Sequence, residues 1–239
     1  MGATTGDFVG FDVEIAREVA KALYGAQWES KLTFVAIPYD QRVQVLSGEG
    51  YPDNEPQVDM VINTMTINCS RDEDIDFSSQ YLAAGQRLLV TTDRVEAGVD
   101  GIDKLTEDDK VCSPLGSTSL ANLANLPEFV GEAVGGASHG ECLVRLQRGE
   151  VDALSGDDTV LAGFKDQDPN LELVGGAFSE EPYGIGLPPG EDEWVRFVNA
   201  VLEEIRDNGR WLELYGEEGL AENLGRGDNV APPTPRYRD

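Results

Sequence analysis

Apolar residues recur at helical spacing after Gly10-Phe11-Asp12, at Val13, Ala16, Val19, Ala20 and Leu23, and give way beyond Gly25 to an alternating run from Lys31 to Ile37. This switch from a period of 3.6 to a period of two constrains the fold most, because each period commits a segment to burying one helical stripe or one strand face. The switch repeats along the chain. Asp40 precedes a short helical pattern carrying Val43 and Leu46, and Val58 to Asn63 is an apolar run of the kind buried in a parallel sheet. Further on come Lys110 to Ser113 (strand), Ser117 to Leu126 (helix), Glu141 to Gln147 (helix), Val151 to Leu154 (strand) and Thr159 to Phe164 (helix). A longer helix then carries Trp194, Phe197, Val198, Val201, Leu202 and Ile205 on one face, and Trp211, Leu214 and Tyr215 continue after Gly209. The alternation predicts α/β layering. Asp12 and Asp40 are the expected helix caps, strand-like Arg87 to Thr92 is expected to join two βα-rich halves with a cleft between them, and Ala231-Pro232-Pro233-Thr234-Pro235 reads as an extended tail.

The chain has 239 residues, 40% of them hydrophobic, enough for one α/β domain or two small ones. Its net charge of -27, from 45 acidic against 18 basic residues, argues against nucleic acid and anionic membrane surfaces as partners. No stretch approaches the roughly 20 apolar residues that span a bilayer, and Met1 to Thr5 shows neither the charged nor the apolar region of a signal peptide. Cys69, Cys112 and Cys142 lack the close spacing of a metal site. Their number allows one disulfide with a free thiol, or three thiols.

Enzyme signatures are thin. Ser138-His139 and the downstream Asp157-Asp158 lack a nucleophile turn, and there is no P-loop, Rossmann glycine pattern or metal-ligand pair, so neither cofactor nor metal is implied. By themselves Asp157 and Asp158 read as a helix cap, Arg71 among its carboxylates as a surface ion pair, and Arg42 as a solvated helix residue. Gly116-Ser117-Thr118-Ser119, between a strand and a helix, offers hydroxyls and free amides of the kind that receive an anion, although capping alone would explain it.

Four signatures stand in a meaningful order: Gly10 to Ala16 (Gly-Phe-Asp-Val-Glu-Ile-Ala); Thr64 to Arg71 leading to Ile75-Asp76-Phe77-Ser78; Gly116 to Ser119; and Gly149 to Ala153 leading to Asp157-Asp158. With Glu181-Pro182-Tyr183-Gly184 they resemble the amino-acid-binding proteins that serve ABC importers, the polar amino acid family (family 3) of bacterial solute-binding proteins. The three cysteines and the Pro-Pro-Thr-Pro-Arg-Tyr ending are most similar to actinobacterial glutamate/aspartate-binding lipoproteins. The resemblance implies a two-lobed α/β type II periplasmic-binding-protein fold with two crossing hinge strands, residues 1–89 with 184–239 forming one lobe and 90–183 the other. In the family an opening β-strand precedes the Gly-Phe-Asp helix, and this sequence starts after it.

The resemblance further implies that a glutamate or aspartate is captured between the lobes without chemistry. Arg71 would take the α-carboxylate with Thr64, Thr66, Ser117 and Thr118, Asp157 the α-ammonium, and Arg42 and His139 the distal carboxylate. It also implies an ABC permease as partner, a monomer, and an extracytoplasmic site reached as a lipoprotein whose signal and lipobox lie outside this chain. Export and a shared lobe make Cys112 and Cys142 the expected disulfide, with Cys69 reduced. The rival readings are a sensor for a membrane partner, a binder of glutamine or another polar amino acid, and a dehydratase on the same fold.

Overall fold

The computed structural model describes residues 8–49, 57–217, 220 and 224; the expectations for Met1 to Thr5 and for the proline-rich tail lie outside them. The chain divides into two compact units, one of Met1–Ile37, Gln41–Ala83 and Pro182–Asp239, the other of Pro38–Asp40 and Ala84–Glu181. The strands Leu82–Ala84 and Glu181–Tyr183, which carry the long passages, pair with each other. The strand Gln86–Thr91, expected to join the halves, lies within the second unit's sheet, where both of its edges are paired.

In the second unit five strands lie in the order Glu132–Gly136, Lys110–Pro114, Ala153–Asp157, Gln86–Thr91, Leu171–Val174. Lys110–Pro114 runs parallel to both its neighbours, and Gln86–Thr91 runs antiparallel to both of its own. Alternate residues of one strand feed opposite faces: Leu88, Val90, Val111 and Ala153 enter one apolar cluster, whereas Leu89, Cys112 and Leu154 enter the other. Burial on both faces explains why these strands read as continuous apolar runs. The helices Thr118–Asn125, His139–Gln147 and Asp158–Gln167 follow three of the strands, and Leu123 closes the first cluster while Cys142, Leu146 and Leu161 close the second.

In the first unit the helix Phe11–Tyr24 buries Phe11, Ile15, Ala16, Val19 and Ala20. Phe11 meets the Trp211 ring edge-on at 5.6 Å, Trp211 stacks on Tyr215 at 5.0 Å, and the Trp211 indole N–H donates to the Tyr81 carbonyl at 2.7 Å. The apolar stripe read between Trp194 and Ile205 forms the helix Asp192–Asp207, followed by Arg210–Glu217. Asp76–Phe77 pairs antiparallel with Gly186–Leu187 beside a core of Val45, Leu46, Val61, Met65, Ile75 and Phe77.

Three local expectations are corrected. Gly10, not Asp12, occupies the cap of the first helix, and Asp12 turns its carboxylate to Thr64 and Tyr81 instead. Asp40 lies inside a 3-10 turn, Tyr39–Gln41, and the helix that carries Leu46, Gln44–Ser47, follows Val43. Neither Lys31 to Ile37 nor Val58 to Asn63 forms a strand; only Val61 makes a single bridge, antiparallel to Gly186. Strand pattern without a neighbouring ladder does not make a sheet, because the extended backbone is stabilised only by its partners.

Candidate functional site

Four of the expected ligand residues meet around one short segment of the first unit. Arg42, 2% exposed, donates from Nη1 to the carbonyls of Asn63 at 2.8 Å and Thr64 at 3.3 Å, and Arg71 donates from Nη1 to the Thr66 carbonyl at 2.7 Å. Thr64 sits at φ 42°, a left-handed conformation that a β-branched residue adopts at a cost of about 1–3 kcal/mol. Its N–H is held by Asp12 Oδ2 at 2.7 Å, and Asp12 Oδ1 accepts the Tyr81 hydroxyl at 2.8 Å. Desolvation pushes the Asp12 carboxyl above the usual range, opposed by these two donors and by the charge of Arg42. The segment is thus gripped by two guanidinium groups and one carboxylate. Arg71 itself is placed by the short helix Cys69–Asp72, whose cap Asn68 accepts the Arg71 N–H at 2.9 Å. Asn68 therefore serves as the N-cap of this short helix.

The second unit carries the other four. Ser117 caps the helix Thr118–Asn125 by accepting the Leu120 N–H at 3.0 Å, while its hydroxyl donates to the Pro114 carbonyl at 2.6 Å. Thr118 Oγ1 donates to Glu181 Oε2 at 2.8 Å. Asp157, 3% exposed, holds the cap position of Asp158–Gln167 without a side-chain cap bond; it accepts Ser119 Oγ at 3.4 Å. Asp157 thus takes the cap position that sequence alone favours without a side-chain cap bond, and Asp158 Oδ1 accepts the Gly85 N–H at 3.2 Å. His139 opens its helix after the cap Ser138, is 8% exposed, and meets the Tyr39 ring edge-on at 5.3 Å. A Cβ at Gly156 would approach His139 Nε2 to 2.9 Å, so this strand position must be glycine for the imidazole to lie against the backbone.

Sequence reasoning missed the polar network behind these residues. Glu181, 2% exposed, accepts Thr118, Asn122 Nδ2 at 2.9 Å and Ser179 Oγ at 2.6 Å, and Asn122 Nδ2 also reaches Gln86 Oε1 at 2.9 Å. Fully buried Gln86 donates to the Ser119 carbonyl at 2.9 Å and to Ser155 Oγ at 2.8 Å. The only signal was the Glu-Pro-Tyr-Gly motif itself, because contacts 36 and 59 residues apart leave no local pattern. Cys112 and Cys142 are joined by a disulfide between strand and helix, and Cys69 is free and exposed. Gly136 makes room for that bridge, since its Cβ would lie 2.7 Å from the Cys142 sulfur. Among the described residues no group of three His, Cys, Asp or Glu side chains could hold a metal, and no helix is long and apolar enough to cross a membrane.

Residues 1–217 match the family model of bacterial extracellular solute-binding proteins, family 3. The ABC transporter glutamine-binding protein GlnH of Bacillus subtilis is 32% identical over 218 residues, 89% of this chain and 73% of that protein. The glutamate-binding protein GluB of Corynebacterium glutamicum is 29% identical over 224 residues, 90% of this chain and 71% of that one. Among solved structures, an ancestral arginine-binding protein bound to arginine superposes with a TM-score of 0.77 at 29% identity, covering 90% of this chain and 89% of that one. An ancestral amino-acid-binding protein described as a precursor of cyclohexadienyl dehydratase gives 0.74 at 27% identity, covering 90% and 87%.

Proposed function

The chain belongs to the bacterial extracellular solute-binding proteins, family 3, and from that premise we propose that it captures an acidic amino acid, glutamate or aspartate, for an ABC importer. Its type II periplasmic-binding-protein fold is shared with the structural relatives above. The observation that carries the ligand class is the division of charge between the units. The first unit gathers Arg42 and Arg71 on the segment of Thr64 and Thr66, and the second buries the carboxylate of Asp157. A zwitterion needs both: a planar fork donor for its carboxylate and an acceptor-only group for its ammonium.

In this reading Arg71 pairs with the α-carboxylate, helped by Thr64, Thr66 and the Ser117–Thr118 helix start, and Asp157 takes the ammonium. Arg42 and His139 answer a second carboxylate, which favours glutamate or aspartate over glutamine. The names of the relatives, one glutamine-binding and one glutamate-binding, support an amino acid with a short polar side chain. Ligand contacts to both units would favour a closed form, which is what a permease reads. We further propose that the protein works as a monomer without nucleic acid, anchored outside the cytoplasm as a lipoprotein. Turnover is not part of this reading, in which Arg71 and Asp157 would hold a zwitterion rather than act as an acid–base pair.

The test is calorimetry with the twenty amino acids on the chain and on Arg71→Ala. Glutamate or aspartate should bind at least tenfold more tightly than glutamine, the counterpart of a charge-assisted bond worth about 1.5–3 kcal/mol. Equal affinities would overturn the acidic selectivity. Arg71→Ala should lose about 2–5 kcal/mol of binding while its melting transition stays cooperative. Unchanged affinity in that variant would overturn the site.

A further inference from the structure

Asp12 stands in the first turn of the helix Phe11–Tyr24, yet its carboxylate is given to two donors from distant parts of the chain, the Thr64 N–H on Oδ2 at 2.7 Å and the Tyr81 hydroxyl on Oδ1 at 2.8 Å. Burying a carboxylate opposes folding unless its hydrogen bonds offset the lost hydration, and desolvation is the largest influence on this one. Tyr81 is a fixed point. It is 1% exposed, its N–H donates to the Tyr183 carbonyl at 2.9 Å, its own carbonyl accepts the Trp211 indole N–H at 2.7 Å, and it leads directly into the strand Leu82–Ala84, one of the two passages between the units. A single carboxylate thereby ties the Thr64 turn to the packed foot of that strand.

What the tie holds is strained. Among the described residues Thr64 is the only one other than glycine with a positive φ, at 42°. Its N–H is engaged by Asp12 and its carbonyl by Arg42 at 3.3 Å, so what Thr64 can offer a ligand is its side-chain hydroxyl, whose direction follows from φ. The next carbonyls are engaged as well, that of Met65 by the Gly184 N–H at 3.0 Å and that of Thr66 by Arg71 Nη1 at 2.7 Å. A β-branched residue released from such a turn returns to negative φ, which swings the hydroxyl away and shifts the carbonyl on which Arg42 rests.

Given the reading above, in which Thr64 meets the amino acid, we propose that Asp12 is a positioning residue of the binding site: without touching the ligand it keeps Thr64 in the left-handed turn, and so aims the Thr64 hydroxyl and seats the carbonyls that hold Arg42 and Arg71. Without the tie the turn relaxes, and only the fraction of molecules that still holds the strained form binds, so the apparent affinity falls by that fraction. The strain of such a conformation corresponds to a population change of about 5- to 150-fold. With Arg42 still gripping the carbonyl, a loss of about tenfold is expected. An asparagine keeps both bonds, because its carbonyl oxygen accepts the Thr64 N–H and its amide donates to the Tyr81 oxygen once that hydroxyl turns. The turn therefore requires the acceptor rather than the charge.

The test is a double-mutant cycle read by calorimetry, with glutamate and glutamine as probes and the tighter of the two followed through Asp12→Ala, Thr64→Gly and the pair. Asp12→Ala should weaken binding about tenfold in the parent and less than about threefold in the Thr64→Gly background, where glycine takes the left-handed turn without strain. Asp12→Asn should stay within about threefold of the parent. Asp12→Glu, whose acceptor lies one methylene out of place, should weaken binding as alanine does, and it takes the place of Asp12→Ala in the cycle where the alanine variant shows no cooperative melting. Equal losses in both backgrounds, unchanged affinity with a lowered melting temperature, or an asparagine variant as weak as the alanine one would each overturn the proposal. Arg71→Ala separates this from a failure of the site itself. If that variant binds like the parent, the site reading falls and the role of Asp12 with it; if it loses affinity while Asp12→Ala does not, only the role of Asp12 falls.

Discussion

The Thr118 hydroxyl donates its hydrogen to Glu181 Oε2 at 2.8 Å, so toward any ligand this oxygen can only accept. In the proposed complex the Thr118 side chain would therefore suit an ammonium neighbour, and the carboxylate would meet the backbone amides at the helix start. The same bond also makes Glu181 an anchor of the second unit's polar network.

Glu181→Ala would strand the donors of Thr118, Asn122 and Ser179, a loss of about 1–3 kcal/mol for buried groups left unsatisfied. A urea titration should show the midpoint falling accordingly. Glu181→Gln, which keeps the shape and one acceptor, should fall less. An unchanged midpoint in the alanine variant would show that water replaces the network without cost.

Arg42 has two roles to separate, clamping Asn63 and Thr64 and answering a distal carboxylate. Arg42→Ala frees a strained turn and removes the cation beside Asp12, so stability should drop by about 1.5–3 kcal/mol. The preference for glutamate over glutamine should shrink in the same variant. Lost selectivity at full stability would make Arg42 a ligand contact alone, and lost stability at full selectivity would make it a clamp alone.

Reduction should weaken the second unit. The Cys112–Cys142 bridge spans 30 residues, which in the chain-entropy model restrains the unfolded chain by about 3–4 kcal/mol. Melting with and without a reductant, and in Cys112→Ala/Cys142→Ala, measures this. Peptide mapping after alkylation should label Cys69 in the unreduced protein and neither of the other two.

Acid should release a contact at Asp109. Burial alone would raise its pKa, but the Thr106 N–H at 2.7 Å, the Thr106 hydroxyl at 2.9 Å and Arg94 at 2.5 Å hold it below the ordinary 3.8. A depressed folded-state pKa contributes stability that is present above about pH 4 and is lost as pH falls through the folded value. The stability gap between the parent and Asp109→Asn should therefore be constant near neutrality and narrow only in strong acid. A gap independent of pH down to pH 2 would contradict the assignment.

Periodicity made the helices legible, and the reason is local: the stripe of Ile15, Val19 and Ala20 or of Val198, Leu202 and Ile205 repeats within one segment. Motif order made the family and the candidate residues legible, from Arg71 in its short helix to Asp157 at the end of its strand. Tertiary structure decided what each side chain does. Asp12 looks like a cap in sequence, yet Thr64, 52 residues away, takes its carboxylate. Arg42 looks solvated, yet the carbonyls of Asn63 and Thr64 bury it. The runs Lys31 to Ile37 and Val58 to Asn63 look like strands, but a strand is completed by its neighbours and sequence pattern cannot supply them. What the sequence determined, then, is the set of faces to be buried and the chemistry available. Which polar groups meet across those faces was fixed only by folding, because hydrogen-bond partners distant in sequence carry no period.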